Sequence, residues 1–105
     1  MQILVEGKKL PVTAAMRAFV EKQAGKLSKL GLKITQIRVF LENVARKKGE
    51  ANRSEVTYKV EMPGKDLIVE KKGHDVYTAV VDVTERMKQQ LIKFKQKHIE
   101  KSRGK

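Results

Sequence analysis

Hydrophobic and polar positions follow two different periods along the chain. They alternate one by one in four short segments, which is typical of strands with a single buried face. In two longer segments the apolar residues recur every three or four positions, which is typical of amphipathic helices. The order of these segments predicts strand, helix, strand, strand, strand, helix.

The four predicted strands share one apolar face. They lie at residues 2–6, 34–42, 54–62 and from Leu67 onward, with Pro63-Gly64 as the turn between the last two. The predicted inward residues are Ile3, Val5, Ile37, Val39, Leu41, Val56, Tyr58, Val60, Leu67 and Val69. Phe40 and Ile68 fall on the opposite face. One apolar face per strand indicates an antiparallel sheet that is covered on one side only.

Two helices are predicted to cover that side. Thr13 stands at the N-cap position of the first, and Gly31 ends it. Its apolar stripe comprises Met16, Phe19, Val20, Leu27 and Leu30. The second helix starts after Asp75 and continues to about Ser102, and its stripe comprises Val76, Val80, Val83, Met87, Leu91 and Phe94. Because a helix follows the first strand, that strand is expected to lie parallel to a neighbour. The predicted fold class is α+β, order β-α-β-β-β-α, with a four-stranded sheet and two helices packed on one face.

The length of 105 residues fits one domain, predicted over residues 1–100, with a flexible basic tail at 101–105. A loop is expected at residues 43–52, around Arg46-Lys47-Lys48-Gly49. The chain has no cysteine, and its N-terminus already reads as a strand rather than as a signal peptide. We therefore expect a cytoplasmic protein that depends neither on disulfides nor on thiolate chemistry.

The charge points to a polyanionic partner. Lys and Arg number 24 against 12 for Asp and Glu, which gives a formal net charge of +12. Such an imbalance on a small domain favours nucleic acid, and an acidic membrane surface is the less favoured alternative.

The helical periods arrange the basic residues in rows. Lys22, Lys26 and Lys29 are spaced as neighbours on the first helix. On the second helix Arg86, Lys93 and Lys97 form one row, and Lys88 and Lys95 line the other flank. One lysine-rich helix is ordinary, but two side by side would form a positive surface for phosphates. Aromatic residues are few and mostly assigned to the core, so shape and backbone recognition of structured RNA is favoured over base stacking.

The residue pattern does not support an enzyme. His74 and His98 are the two histidines, and no nucleophile motif, glycine-rich phosphate loop or metal-ligand spacing occurs. His74 with Asp75 could form a proton-transfer pair in an RNA-cleaving enzyme, but Asp75 fits a helix cap better. No cofactor, metal or small-molecule substrate is expected.

Several stretches, taken together and in order, resemble the ribosome hibernation promoting factor and ribosome-associated translation inhibitor family in its short form. They span nearly the whole chain, and the Asp-x-Tyr-x-Ala opening of the last helix is the most specific. The matching stretches are Val12-Thr13, Ala15-Met16-Arg17, Lys26-Leu27, Gly73-His74-Asp75-Val76-Tyr77-Thr78-Ala79-Val80 and Gln90-Leu91, followed by Lys93 and Lys97.

The resemblance implies a protein that binds the small ribosomal subunit in the decoding channel and blocks messenger RNA and tRNA binding. It implies contact with 16S rRNA through Arg17, Lys22, Lys26, Lys29, Arg86, Lys88, Lys93 and Lys97. Gln89 stands where relatives often carry arginine, which puts one phosphate contact in doubt. Long members have a C-terminal domain that pairs ribosomes, so a chain ending at Lys105 is expected to be a monomer when free and not to bridge ribosomes alone. A general double-stranded RNA-binding module is the alternative function.

Overall fold

The computed structural model describes residues 1–44 and 53–103. The elements follow the predicted order: β1 (Gln2–Lys8), α1 (Ala14–Gly25), a 3-10 segment (Lys26–Leu30), β2 (Gln36–Val44), β3 (Arg53–Met62), β4 (Lys65–Gly73) and α2 (Val76–Arg103). Most of the loop predicted at residues 43–52, including Arg46-Lys47-Lys48-Gly49, lies outside the described residues. The α+β fold with the order β-α-β-β-β-α is confirmed.

The sheet has the order β1-β2-β3-β4. Strand β1 runs parallel to β2, with Ile3 beside Ile37, as the helical connection between them predicts. The other two pairs are antiparallel, so that Tyr58 on β3 lies between Val39 on β2 and Val69 on β4. The sheet is therefore mixed, with its parallel pair at one edge.

The core lies between one face of the sheet and the two helices. Its fully enclosed strand residues, Ile37, Val39, Leu41, Val56, Tyr58 and Val60, are those that the alternation predicts. From α2 they meet Val80, Val83, Met87 and Leu91, and from α1 Met16, Val20 and Ala24. On the opposite face Phe40 is half-buried and Ile68 is 63% exposed. The two helices thus pack on one side of the sheet and leave the outer sheet face uncovered.

Side-chain caps fix where both helices begin. The Thr13 hydroxyl accepts a hydrogen bond from the Met16 backbone N–H at 3.1 Å, which satisfies one of the free donors at the helix start. The Asp75 carboxylate accepts from the backbone N–H groups of Tyr77 at 3.4 Å and Thr78 at 3.3 Å. Asp75 therefore caps α2, as the sequence favours.

The first helix does not continue as an α-helix to Gly31. It ends at Gly25, and the chain tightens into the 3-10 segment before Gly31 stops it with a left-handed φ of 74°. The sequence does not predict this change of helix type because Leu27 and Leu30 are three residues apart. A separation of three residues puts both side chains on one side of a 3-10 helix as well as of an α-helix, so the apolar pattern does not distinguish them.

Another boundary also differs from the prediction. Strand β1 continues to Lys8 rather than ending at residue 6, because its pairing with β2 extends to Glu42. Helix α2 continues through Arg103, close to its predicted end at about Ser102, and the flexibility of the tail at residues 101–105 stays a prediction. Residues 104–105 lie outside the described part of the chain.

A buried pair of hydroxyls joins α2 to the sheet. Thr84 Oγ1 lies 2.7 Å from the Tyr58 hydroxyl and 2.7 Å from the Val80 carbonyl oxygen. Burial raises the pKa of Tyr58 to about 12, and the hydrogen bond with Thr84 opposes part of that rise. The hydrogen bonds satisfy a polar group that would otherwise be costly at the centre of the core.

Candidate nucleic-acid interface

The two helices lie side by side, so their outer surfaces form one layer. The rings of Phe19 on α1 and Tyr77 on α2 meet edge to face, with centroids 5.0 Å apart. From residue 14 to 30 and from 76 to 97 the layer has nine basic residues and three acidic ones, Glu21, Asp82 and Glu85. All eight predicted rRNA contacts are exposed on this layer: Arg17, Lys22, Lys26, Lys29, Arg86, Lys88, Lys93 and Lys97. The helical layer is therefore strongly positive.

The structure brings three of those residues together in what we call the inter-helix groove. This depression of about 460 Å³ runs between the 3-10 segment and α2, and Lys26, Lys29 and Lys88 line it. Its apolar wall consists of Leu27, which is buried, Leu30, which is half-buried, and Val81, which is exposed. The one carboxylate among its lining residues is Glu85, which accepts a hydrogen bond from the Gln89 amide at 3.4 Å. With three cations against one carboxylate, the groove attracts phosphate.

The predicted lysine row on the first helix is only partly correct. Lys22 belongs to α1, whereas Lys26 and Lys29 stand on the 3-10 segment, where three residues complete a turn. Arg17 precedes Phe19 by two residues, or about 200° around the helix. Because Phe19 faces α2, Arg17 lies on the flank of α1 that points away from α2 and from the groove.

The Arg86 row lies on the other flank of α2. Arg86 lines a second depression of about 440 Å³ together with Lys71 of β4, Asp82, Glu85 and Gln89. Lys93 and Lys97 follow Arg86 by seven and eleven residues, which places them on the same side of α2. The two cations of this depression face two carboxylates, so its local charge balances. The basic rows therefore flank α2 on both sides, and the inter-helix groove has the greater excess of positive charge.

Lys95 connects α2 to the 3-10 segment. Because its ammonium is engaged in that contact, it is less available to bind phosphate than the exposed lysines. Its Nζ donates to the Leu30 carbonyl oxygen at 2.8 Å, across the end of the 3-10 segment. The last carbonyls of a helix lack partners within the helix, and a lysine ammonium is a suitable donor for them. This contact joins α2 to the end of the segment that holds Lys26 and Lys29.

The outer sheet face lacks the charge excess of the helical layer. By strand register it holds six of the 12 acidic residues, Glu6, Glu42, Glu55, Glu61, Asp66 and Glu70, and five basic ones, Lys8, Arg38, Arg53, Lys59 and Lys72. Among its described side chains the ion pairs are Lys8–Glu42 at 3.7 Å, Arg38–Glu61 at 3.1 Å and Lys59–Asp66 at 3.8 Å. A hydrogen bond with Glu70 raises the pKa of Glu55, with desolvation as the second cause. The excess of positive charge thus lies on the helical layer, and the outer sheet face is nearly balanced.

Other chemistry is poorly supplied within the described residues. His74 is exposed, and its neighbour Asp75 is engaged in capping α2. In the described ranges no three His, Cys, Asp or Glu side chains group closely enough to hold a metal ion. No helix of the described chain combines the length and apolar character needed to cross a bilayer.

Comparison with known proteins decides the family. Residues 3–99 match the family described as sigma 54 modulation protein / S30EA ribosomal protein. The chain belongs to this family. The match confirms the resemblance that the residue stretches from Val12 to Lys97 indicate.

Individual relatives align with this chain over most of its length. A ribosome hibernation promoting factor from Azotobacter vinelandii is 27% identical over 104 residues, covering 99% of this chain and 92% of that protein. A ribosome hibernation promotion factor from Deinococcus radiodurans is 30% identical over 100 residues, covering 94% of this chain and 52% of the relative. The Protein Y N-terminal domain of Thermus thermophilus matches with a TM-score of 0.77 and 25% identity, over 90% of this chain and 99% of that domain.

Two residues that line the depressions beside α2 are not predicted from the sequence. Lys71 lies on the inner side of edge strand β4, where it lines the second depression together with Arg86. Val81 lines the inter-helix groove, although it is 43% exposed. Val81 interrupts the polar side of α2, and that break in the pattern is the one signal in the sequence that marks it.

Proposed function

We propose that this chain is a ribosome-binding translation inhibitor that occupies the decoding channel of the small ribosomal subunit. In that position it excludes messenger RNA and tRNA and keeps the ribosome idle. It contacts 16S rRNA through the helical layer and acts as a monomer without cofactor or catalytic step. The supporting relatives bear the name ribosome hibernation promoting factor, and the family spans residues 3–99.

The uneven distribution of charge between the two faces is the observation on which the proposal mainly rests. The helical layer has nine basic and three acidic residues, whereas the outer sheet face has five basic and six acidic ones. The first surface attracts phosphates and the second has little net attraction for them, because binding energy to RNA comes largely from neutralised phosphates and released counterions. The protein therefore binds rRNA in one orientation, with the helices toward the RNA and the sheet away from it.

Sedimentation with purified small subunits tests the proposal. The protein is expected to co-migrate with them at physiological salt and to lower the amount of tRNA and messenger RNA that they retain. Absence from the small-subunit fraction would contradict ribosome binding. Co-migration with undiminished tRNA and messenger RNA would contradict occupation of the decoding channel.

A general double-stranded RNA-binding module is the second candidate, because the same basic layer suits the phosphate backbones of an A-form helix. Competition separates the two functions. A plain RNA duplex is expected to displace the protein from small subunits only at a large excess of nucleotide. Displacement by the duplex at a nucleotide concentration equal to that of the subunits would favour the general module.

A further inference from the structure

The inter-helix groove combines a charged surface with an apolar one. Binding of RNA phosphates alone would not use the apolar surface. Lys26, Lys29 and Lys88 are exposed around it, while Leu30 and Val81 give it an apolar wall. A phosphate pressed against that wall would lose hydration without gaining a hydrogen bond. A ligand that is anionic at its ends and flat and apolar between them fits both surfaces.

We infer that the groove seats one unstacked nucleotide of the bound RNA. Its base lies against Val81 and Leu30, and the phosphates on either side of it meet the three lysines. This inference rests on the proposed function and narrows it. The helical layer would then distinguish RNA with an extruded nucleotide from a continuous duplex, whose bases are stacked inside and whose outer surface is phosphate and sugar.

The polar side chains of the groove other than its lysines already have hydrogen-bond partners within the protein. This favours a base over an extended polar ligand. Thr84 Oγ1 is engaged by Val80 and Tyr58 at 2.7 Å each, and it is almost fully buried. The Gln23 side-chain oxygen accepts from Lys26 Nζ at 3.2 Å, and Glu85 accepts from Gln89. The volume of about 460 Å³ lies within the range of about 300–1,000 Å³ that is usual for small-ligand sites.

The test uses the full chain and two RNA hairpins of equal length and charge. One has a single bulged 2-aminopurine in its stem, and the other has the same nucleotide base-paired. The wild-type protein is expected to bind the bulged hairpin about tenfold more tightly, with a change in 2-aminopurine fluorescence on binding. Equal affinity for the two hairpins would overturn the inference.

A matched pair of variants locates the effect. Val81→Thr keeps the shape of the side chain but places a hydroxyl against the base, which is expected to remove most of the preference. Ile68→Thr makes the same kind of change on the outer sheet face, where Ile68 is 63% exposed, and is expected to leave the preference unchanged. A Val81→Thr protein that keeps the full preference would overturn the inference.

Two further measurements separate this inference from the proposed function and from a different occupant. If wild-type protein binds small subunits but does not prefer the bulged hairpin, the groove proposal fails while ribosome binding stands. If a polyglutamate peptide competes as well as an unlabelled bulged hairpin of equal charge, the groove serves an acidic protein segment and the nucleotide proposal fails.

Discussion

Lys95 on α2 reaches across to the end of the first helical region and donates from Nζ to the Leu30 carbonyl oxygen, 2.8 Å away. The same ammonium lies against Gly31, where an added Cβ would be 3.0 Å from it. One side chain thus satisfies a helix-end carbonyl and holds the two walls of the inter-helix groove together. Sequence reasoning assigns Lys95 to a basic row, and the structure gives it a structural contact.

Removing that contact should lower stability. Lys95→Met keeps much of the aliphatic stem but leaves the part-buried Leu30 carbonyl without its charged donor, at an expected cost of about 1–2 kcal/mol. Lys97→Met is the matched control on the same helix, because Lys97 is exposed, and it should change stability by less than about 0.5 kcal/mol. Urea unfolding measures both. Equal stability of the two variants would contradict the bridging role of Lys95.

Tyr58 should give the fold a specific sensitivity to alkali. Its folded pKa of about 12 exceeds the ordinary value of 10, so the folded state holds the proton more tightly. Its contribution is therefore complete below about pH 10 and is lost as the pH rises through about 12, a loss of about 2–3 kcal/mol. Tyr58→Phe lacks this term, so its unfolding free energy should fall less steeply than that of wild type over this range.

Tyrosinate absorbance provides the direct check of that pKa. The chain has two tyrosines, so Tyr77→Phe leaves Tyr58 as the one titrating phenol. Its titration midpoint is expected near 12 in the folded protein. A midpoint near the ordinary value of 10, with the protein still folded, would contradict the buried environment of Tyr58.

Two glycines should respond in opposite ways to alanine. At Gly7 a Cβ would collide with the Leu10 carbonyl oxygen and lie 2.8 Å from Val12 Cγ2, where the chain turns back after β1. Gly7→Ala is therefore expected to destabilise the protein by about 1–3 kcal/mol. Gly25 has helical angles, φ −60° and ψ −24°, with open space around it. Gly25→Ala is expected to stabilise by about 0.4–1 kcal/mol.

Thermal unfolding of both glycine variants checks this pair. Loss of stability at Gly25 would indicate that the junction between α1 and the 3-10 segment depends on glycine. Unchanged stability at Gly7 would indicate that the turn after β1 relaxes readily.

The local elements follow closely from the sequence because one buried face imposes a strict period on each. Val56, Tyr58 and Val60 alternate inward along β3, and Thr13 and Asp75 cap the helices where their side chains permit. The 3-10 segment is missed because apolar residues three apart suit both kinds of helix.

The interface follows less well from the sequence, because it depends on which helix flanks face each other. Helical spacing separates Lys88 from Arg86, but it does not say that Lys88 meets Lys26 and Lys29 while Arg86 meets Lys71. Those pairings arise from the docking of α2 on the sheet and beside the 3-10 segment. The charge of the outer sheet face likewise emerges only when strand register places Glu55 and Glu70 on one surface.

Two variants matched in charge test most directly the proposed orientation of the protein on rRNA. One replaces Lys26, Lys29 and Lys88 of the inter-helix groove by Gln, and the other replaces Lys8, Lys59 and Lys72 of the outer sheet face by Gln. The measurement is the affinity of each for small ribosomal subunits across a salt series. The groove variant should bind at least about tenfold more weakly, with a log affinity against log salt slope shallower by about 2–3, while the sheet variant stays close to wild type. Equal losses in the two variants would contradict binding through the helical layer.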